Sequence, residues 1–212
     1  MIRKGILSLL ALLVLCGLQA QDMASVFTAM PNQYIPQLDD AWRKDLVDLF
    51  RSGKEARLKN TMNGYSTLEQ LTDDYLCLRA TERSVVEMKL LPLVNNTHVI
   101  CMVTTVEAPV ADSRVAFFTT DWTALPTADL LLLPDEEWYL AEGAAQNEAF
   151  LALKGLLDMD LFRYRLSGEE PVLTVTYTTP DYLDATTKKQ LQPYLRREPL
   201  NLRWQHGRFC PS

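Results

Sequence analysis

A chain of 212 residues with 27 acidic against 21 basic side chains and a formal charge of −6 repels phosphate backbones and anionic surfaces, so nucleic acid is an unfavoured partner. Its 48% hydrophobic content suits a packed core rather than a disordered tract, and its 4 cysteines are too few for a disulfide scaffold. No low-complexity run or Pro/Gly/Ser linker divides it.

The N-terminus sets the expected compartment. Arg3 and Lys4 precede an apolar run at 6–15 that is interrupted only by Ser8, and Ala20 offers a small residue beyond it. A basic start, a short apolar stretch and a small residue at the cut make 1–20 a cleavable signal peptide. The run is about half the roughly twenty residues a membrane-spanning helix needs. Lipidation at Cys16 would want a small residue before it, where Leu15 stands, so ordinary cleavage near Ala20 is expected. The protein is then exported, periplasmic or outer-envelope associated, with no transmembrane segment in the mature chain. Cleavage removes Arg3, Lys4 and no acid, which moves the formal charge from −6 to −8. It also removes Cys16. The remaining Cys77, Cys101 and Cys210 are an odd set that cannot be fully paired within one chain, and they read as small buried hydrophobes.

An extended lead-in is expected at 21–37, where Pro31 and Pro36 discourage a helix. A helix follows at 38–52, with Leu38, Trp42, Leu46, Leu49 and Phe50 on one face and Gly53 past its end. Residues 57–62 lead into an Asn63-Gly64 hairpin turn. Strands are expected at 75–80, 84–91, 98–107 and 114–120. The short gaps between them are polar or marked by Pro109, which favours an antiparallel meander. In the second of these strands Val86, Met88 and Leu90 share one face and Glu87 and Lys89 the other. The third is apolar on both sides, the mark of a strand covered on both faces. Cys77 and Cys101, on non-neighbouring strands, should not be bonded.

The stretch 123–145 is irregular, with a surface turn at 135–139. A helix is expected at 147–158, strands at 161–166 and 172–178, a helix from Thr179 to about 195, and a last strand at 200–205. This is an α+β pattern: antiparallel β-meander sheets with two to three packed helices, in a single domain over 38–212. Phe118-Thr119-Thr120-Asp121-Trp122 echoes Tyr177-Thr178-Thr179-Pro180-Asp181-Tyr182. Two related halves, 38–135 and 136–212, would explain the echo. Strands running into capped turns explain it too, with less.

Chemistry-bearing patterns are sparse. His98 and Cys101 lie three apart on one strand and point to opposite faces. The sequence holds no C-x-x-C, H-E-x-x-H, G-x-S-x-G or phosphate-loop motif, so no catalytic residue, metal ligand or cofactor is assigned. Trp122, Trp138, Tyr139 and Tyr182 fall at strand ends and in loops, where aromatics suit stacking on a glycan or contact with a protein. They are the ligand-binding candidates. The function that fits is a non-enzymatic binding or interaction module of the envelope. The alternatives are a carboxylate-based hydrolase of an envelope polymer or glycan, and a structural or assembly factor.

The segments 71–76 (Leu-Thr-Asp-Asp-Tyr-Leu), 87–92 (Glu-Met-Lys-Leu-Leu-Pro), 118–122 and 177–180 resemble, in combination, the domain of unknown function 3256 family of exported Bacteroidales proteins, over about 30–209. The resemblance implies an envelope location in a Gram-negative anaerobe and transfers no catalytic residue.

Overall fold

Strand patterning decides which faces are covered. The computed structural model describes residues 22–95, 97–133 and 137–211. In chain order the elements are α1 (Met23–Thr28), a 3₁₀ turn (Asn32–Tyr34), α2 (Asp40–Arg51), β1 (Arg57–Lys59), β2 (Tyr65–Leu71), β3 (Tyr75–Thr81), β4 (Ser84–Pro92), β5 (His98–Val106), β6 (Asp112–Thr119), β7 (Ala124–Leu125), α3 (Thr127–Leu130), α4 (Glu148–Leu153), β8 (Phe162–Leu166), β9 (Val172–Tyr177), α5 (Ala185–Leu191), β10 (Leu200–Gln205) and β11 (Arg208–Pro211). Strands β1–β7 form an antiparallel meander in chain order, and β8–β11 form a second antiparallel sheet ordered β11-β10-β9-β8. The chain is α+β, as the pattern predicts. Among the described residues no helix is long and apolar enough to cross a membrane.

The large sheet is a middle layer. On one face Val86, Met88, Leu90, Ile100, Met102 and Phe118 pack with Met23, Phe27 and Leu46 of the N-terminal helices and with Leu38 between them. On the other, Val99, Cys101, Val103 and Phe117 pack with Tyr164, Leu173, Leu202 and Phe209 of the small sheet. Strand β5 supplies both cores, as its two-sided apolar character requires. Each such side chain, taken fully out of water, contributes about 1.5–3 kcal/mol. Cys77 on β3 and Cys101 on β5 are separated by β4, and Cys77, Cys101 and Cys210 are free.

The small sheet stands on the large one by its edge. Alternate N–H groups of β8 point away from β9 and need acceptors. Phe162 N donates to Asp112 Oδ1 at 3.3 Å and Tyr164 N to Ser113 Oγ at 3.1 Å, both side chains of β6. Leu166 N–H donates to the Glu87 carboxyl of β4. Side chains of the large sheet therefore take the place of a missing strand. The turn after β8 is pinned by Lys89, which is 2% exposed. Its Nζ donates to Gly168 O at 2.9 Å and pairs with Asp74 at 3.0 Å. Gly168 lies so close to the Tyr75 ring that an added Cβ would sit 3.3 Å from it.

The expected extended lead-in is instead folded: α1 and the 3₁₀ turn occupy 23–34. The cause is Arg43 of α2, which is 1% exposed. Its guanidinium donates to Phe27 O at 3.1 Å, Leu38 O at 2.7 Å, Asn32 Oδ1 at 2.9 Å and Met30 O. It satisfies carbonyls that the end of α1 and the proline-broken chain leave without backbone partners. Three other expectations are refined. The hairpin expected at Asn63-Gly64 is present, with β1 and β2 paired across it and Asn63 at φ 62, but the extent of its second strand, 65–71, had no predicted range. The helix expected from Thr179 to 195 breaks into a 3₁₀ turn at 179–182, then α5, because Thr179 Oγ1 donates to Met159 O and Asp184 caps a new start. The helix expected at 147–158 keeps its Asn147 cap but loosens into a 3₁₀ turn at Lys154–Leu156. The surface turn at 135–139 falls partly on Asp135 and Glu136, outside the described residues.

Replacing Arg43 with Met keeps bulk but strands buried carbonyls, each costing about 1–3 kcal/mol. The expected loss of stability by urea unfolding is about 3 kcal/mol or more; a loss under about 1 kcal/mol would show that water satisfies these carbonyls.

Candidate functional site

The two covers leave two unfilled places. Helix α1 packs on β3 and β4, and α2 on β1 and β2, so the helical layer stops short of β6 and β7. There a groove of about 620 Å³ opens. Met102, Ala116 and Phe118 form its floor, with Thr104 and Arg114 beside them; Gln33 and Tyr34 form one wall, and Ala124, Leu125 and Thr127 the far end. The Tyr34 ring is set edge-on to Phe118 at 4.8 Å and stacked on Trp122 at 5.5 Å. It stands where Arg43 puts it, since Asn32, two residues before, is held by the guanidinium. Arg114 is exposed and makes no ion pair among the described residues.

The second place is a polar cleft of about 270 Å³ where β8 meets β2–β4. A bulge in β2 leaves Glu69 without a partner opposite, between Leu68↔Leu78 and Gln70↔Cys77, and turns it into the cleft. Arg79 bridges Glu69 at 2.7 Å and Glu107 at 3.1 Å, and Arg163 of β8 pairs with Glu107 at 3.0 Å. Glu87 lies deepest and accepts from Tyr75 Oη at 2.9 Å as well as from Leu166 N–H. Burial raises its carboxyl above the usual carboxylate range, and the Tyr75 and Leu166 donors together with the charges of Arg165 and Arg163 only partly offset this. Burial, then Glu87 and Glu69, push the Cys77 thiol up to about 12. A thiol held protonated at neutral pH is a poor nucleophile.

The four aromatic candidates do not converge. Trp122 is 7% exposed in the helical-layer core, with Nε1 donating to Val26 O at 3.2 Å. Trp138 is 4% exposed on the opposite side, 5.9 Å from Phe162. Tyr139, beside it, stacks on Tyr177 at 3.9 Å, and Tyr182 is exposed. Trp122, Trp138 and Tyr139 turn inward and seal core margins, whereas Tyr182 does not. Among the described residues no group of three or more His, Cys, Asp or Glu side chains could hold a metal ion. The residues missed are Tyr34, hidden in an apparently extended lead-in, and the cleft set. Glu87 carried a signal: a charge in mid-strand beside a strand apolar on both faces points to a buried carboxyl.

A family model described as "Protein of unknown function (DUF3256)" matches residues 15–209. The chain belongs to this family. It is also similar to a solved structure, a domain of an uncharacterized protein from Porphyromonas gingivalis W83, at 31% identity and a TM-score of 0.79 over 88% of this chain and 97% of that one. No curated protein matches. The fold described here is thus that of a DUF3256 member.

Glu87 offers a check on the cleft. Its pKa is raised on folding, so folding favours its protonated form. Its contribution is favourable below its unfolded pKa and is lost as pH rises through the folded one. Wild type should therefore lose stability relative to Glu87→Gln as pH climbs above the ordinary carboxylate range, read by urea unfolding at several pH values. A pH-independent difference would mean that Glu87 is solvated.

Proposed function

We propose that this DUF3256 protein is an exported Bacteroidales envelope protein that binds a peptide or glycan in the groove beside Tyr34 and does not transform it. The carrying observation is the groove: about 620 Å³, apolar in its floor, aromatic in one wall, with the guanidinium of Arg114, which makes no ion pair among the described residues, at its side. Ligand sites are concave, mostly apolar, of about 300–1,000 Å³ and have a few polar groups that set orientation. Binding without turnover is supported by the cleft, whose carboxyls are engaged: Glu69 and Glu107 with arginines, Glu87 with Tyr75 and Leu166. Export is supported by Arg3-Lys4, the apolar run and Ala20. Cleavage there spares Asp22, whose carboxylate caps α1 and pairs with Arg51 at 2.8 Å.

Peptides, glycans and envelope extracts screened by thermal shift on the chain lacking residues 1–20 should yield a stabilising ligand. Thr104→Phe, which fills the groove from a half-exposed position, should weaken that ligand at least tenfold, about 1.4 kcal/mol. Unchanged affinity would remove the groove as the site. Breakdown of the ligand during incubation would replace binding with hydrolysis.

A further inference from the structure

The polar cleft under β8 has a surplus of one kind of group. Glu69, Glu107, Arg79 and one arm of Arg163 satisfy one another. What remains is mostly donors. Arg163 Nε is buried with no hydrogen-bond partner among the described residues. Arg165, also on the cleft lining, makes no ion pair or hydrogen bond among them, and its guanidinium is exposed at the mouth. Glu87 is turned inward to Tyr75 Oη and Leu166 N–H. Two guanidiniums from one strand thus line one cavity, and that of Arg165 is the one open to it at the mouth.

We propose that this cleft is a second binding site, separate from the groove, for a small hydroxylated monocarboxylate, the chemical class of the sugar acids. A planar carboxylate matches the guanidinium fork and accepts two parallel N–H bonds from it. A dianion such as phosphate is the poorer fit, because a second negative charge would face Glu69, Glu87 and Glu107 at short range. The volume, about 270 Å³, equals roughly nine waters at about 30 Å³ each and admits a molecule the size of a monosaccharide. Gln70 lines the same space from an exposed position and suits a hydroxyl group rather than an alkyl chain. Burial disfavours a charge on Glu87, which lessens its repulsion of an incoming carboxylate.

The test is calorimetric titration of the chain lacking residues 1–20 with glucuronate, lactate and inorganic phosphate. Glucuronate should bind saturably and more tightly than phosphate. Arg165→Gln, at an exposed position that makes no hydrogen bond among the described residues and whose charge acts on Glu87, should weaken glucuronate at least tenfold while the unliganded protein stays folded by circular dichroism. Glu87→Gln should tighten it, and Thr104→Phe in the groove should leave it unaltered. The proposal is overturned by no saturable binding of either carboxylate, by binding that Arg165→Gln leaves intact, or by phosphate binding at least as tightly as glucuronate. A glucuronate site lost with Thr104→Phe would assign the ligand to the groove instead.

Discussion

Strand β8 is an edge strand that has no open edge. Its outward N–H groups, from Phe162, Tyr164 and Leu166, are taken by Asp112, Ser113 and Glu87 of the large sheet. An unpaired edge invites pairing with other chains, and proteins blunt it with charge, bulges or cover. Here the cover is another sheet, joined through side chains instead of a ladder. Two consequences follow from the geometry. The small sheet is docked on the large one at a defined place, with Tyr164 and Leu166 inside. The alternate residues, Arg163 and Arg165, are carried over the polar end of β2–β4 and close a cleft there. Glu87 is shared by both: it accepts from β8 and lies at the cleft floor.

The opposite face is covered on a different principle. There the large sheet meets helices, held by a single buried guanidinium that donates to carbonyls from Phe27 to Leu38. Arg43 suits this because its donors form a planar, fixed array that reaches several acceptors at once, which an ammonium cannot. The layer it holds is narrower than the sheet. The groove is the uncovered remainder of the sheet, and its wall, Tyr34, is part of the segment that Arg43 orders. Cover and groove are one feature seen from two sides.

Much of the fold was legible because alternation is a local property. Strands β3–β6 and β8–β10 lie within two residues of where apolar periodicity puts them, and β5 announced its double burial by being apolar at every turn of the pleat. What was hidden depends on distant partners. The helical lead-in is stabilised by an arginine well downstream, and nothing within 21–37 signals it. Strand β2 carries Ser66, Glu69 and Gln70 and a bulge, so its alternation is broken where it matters for the cleft. Strand β11 follows the turn His206-Gly207, both with positive φ, and is short. Neither cavity is legible locally, since each is assembled from strands far apart in the chain. Of the aromatics that sequence singled out, Trp122, Trp138 and Tyr139 are drawn to the margins of the core and Tyr182 stays exposed, and the groove instead uses Tyr34.

A chain with a pinned cover on one face and an edge-docked sheet on the other keeps two concave surfaces of unlike chemistry, one apolar and one lined by arginines and glutamates. The second rests on the docking of β8 being real in solution. Native-state hydrogen exchange by NMR at the Phe162, Tyr164 and Leu166 amides tests it most directly. Protection comparable to the interior amides of β5 is the expected result. Exchange as fast as at exposed loop amides such as Glu142 would show an open edge and contradict the account.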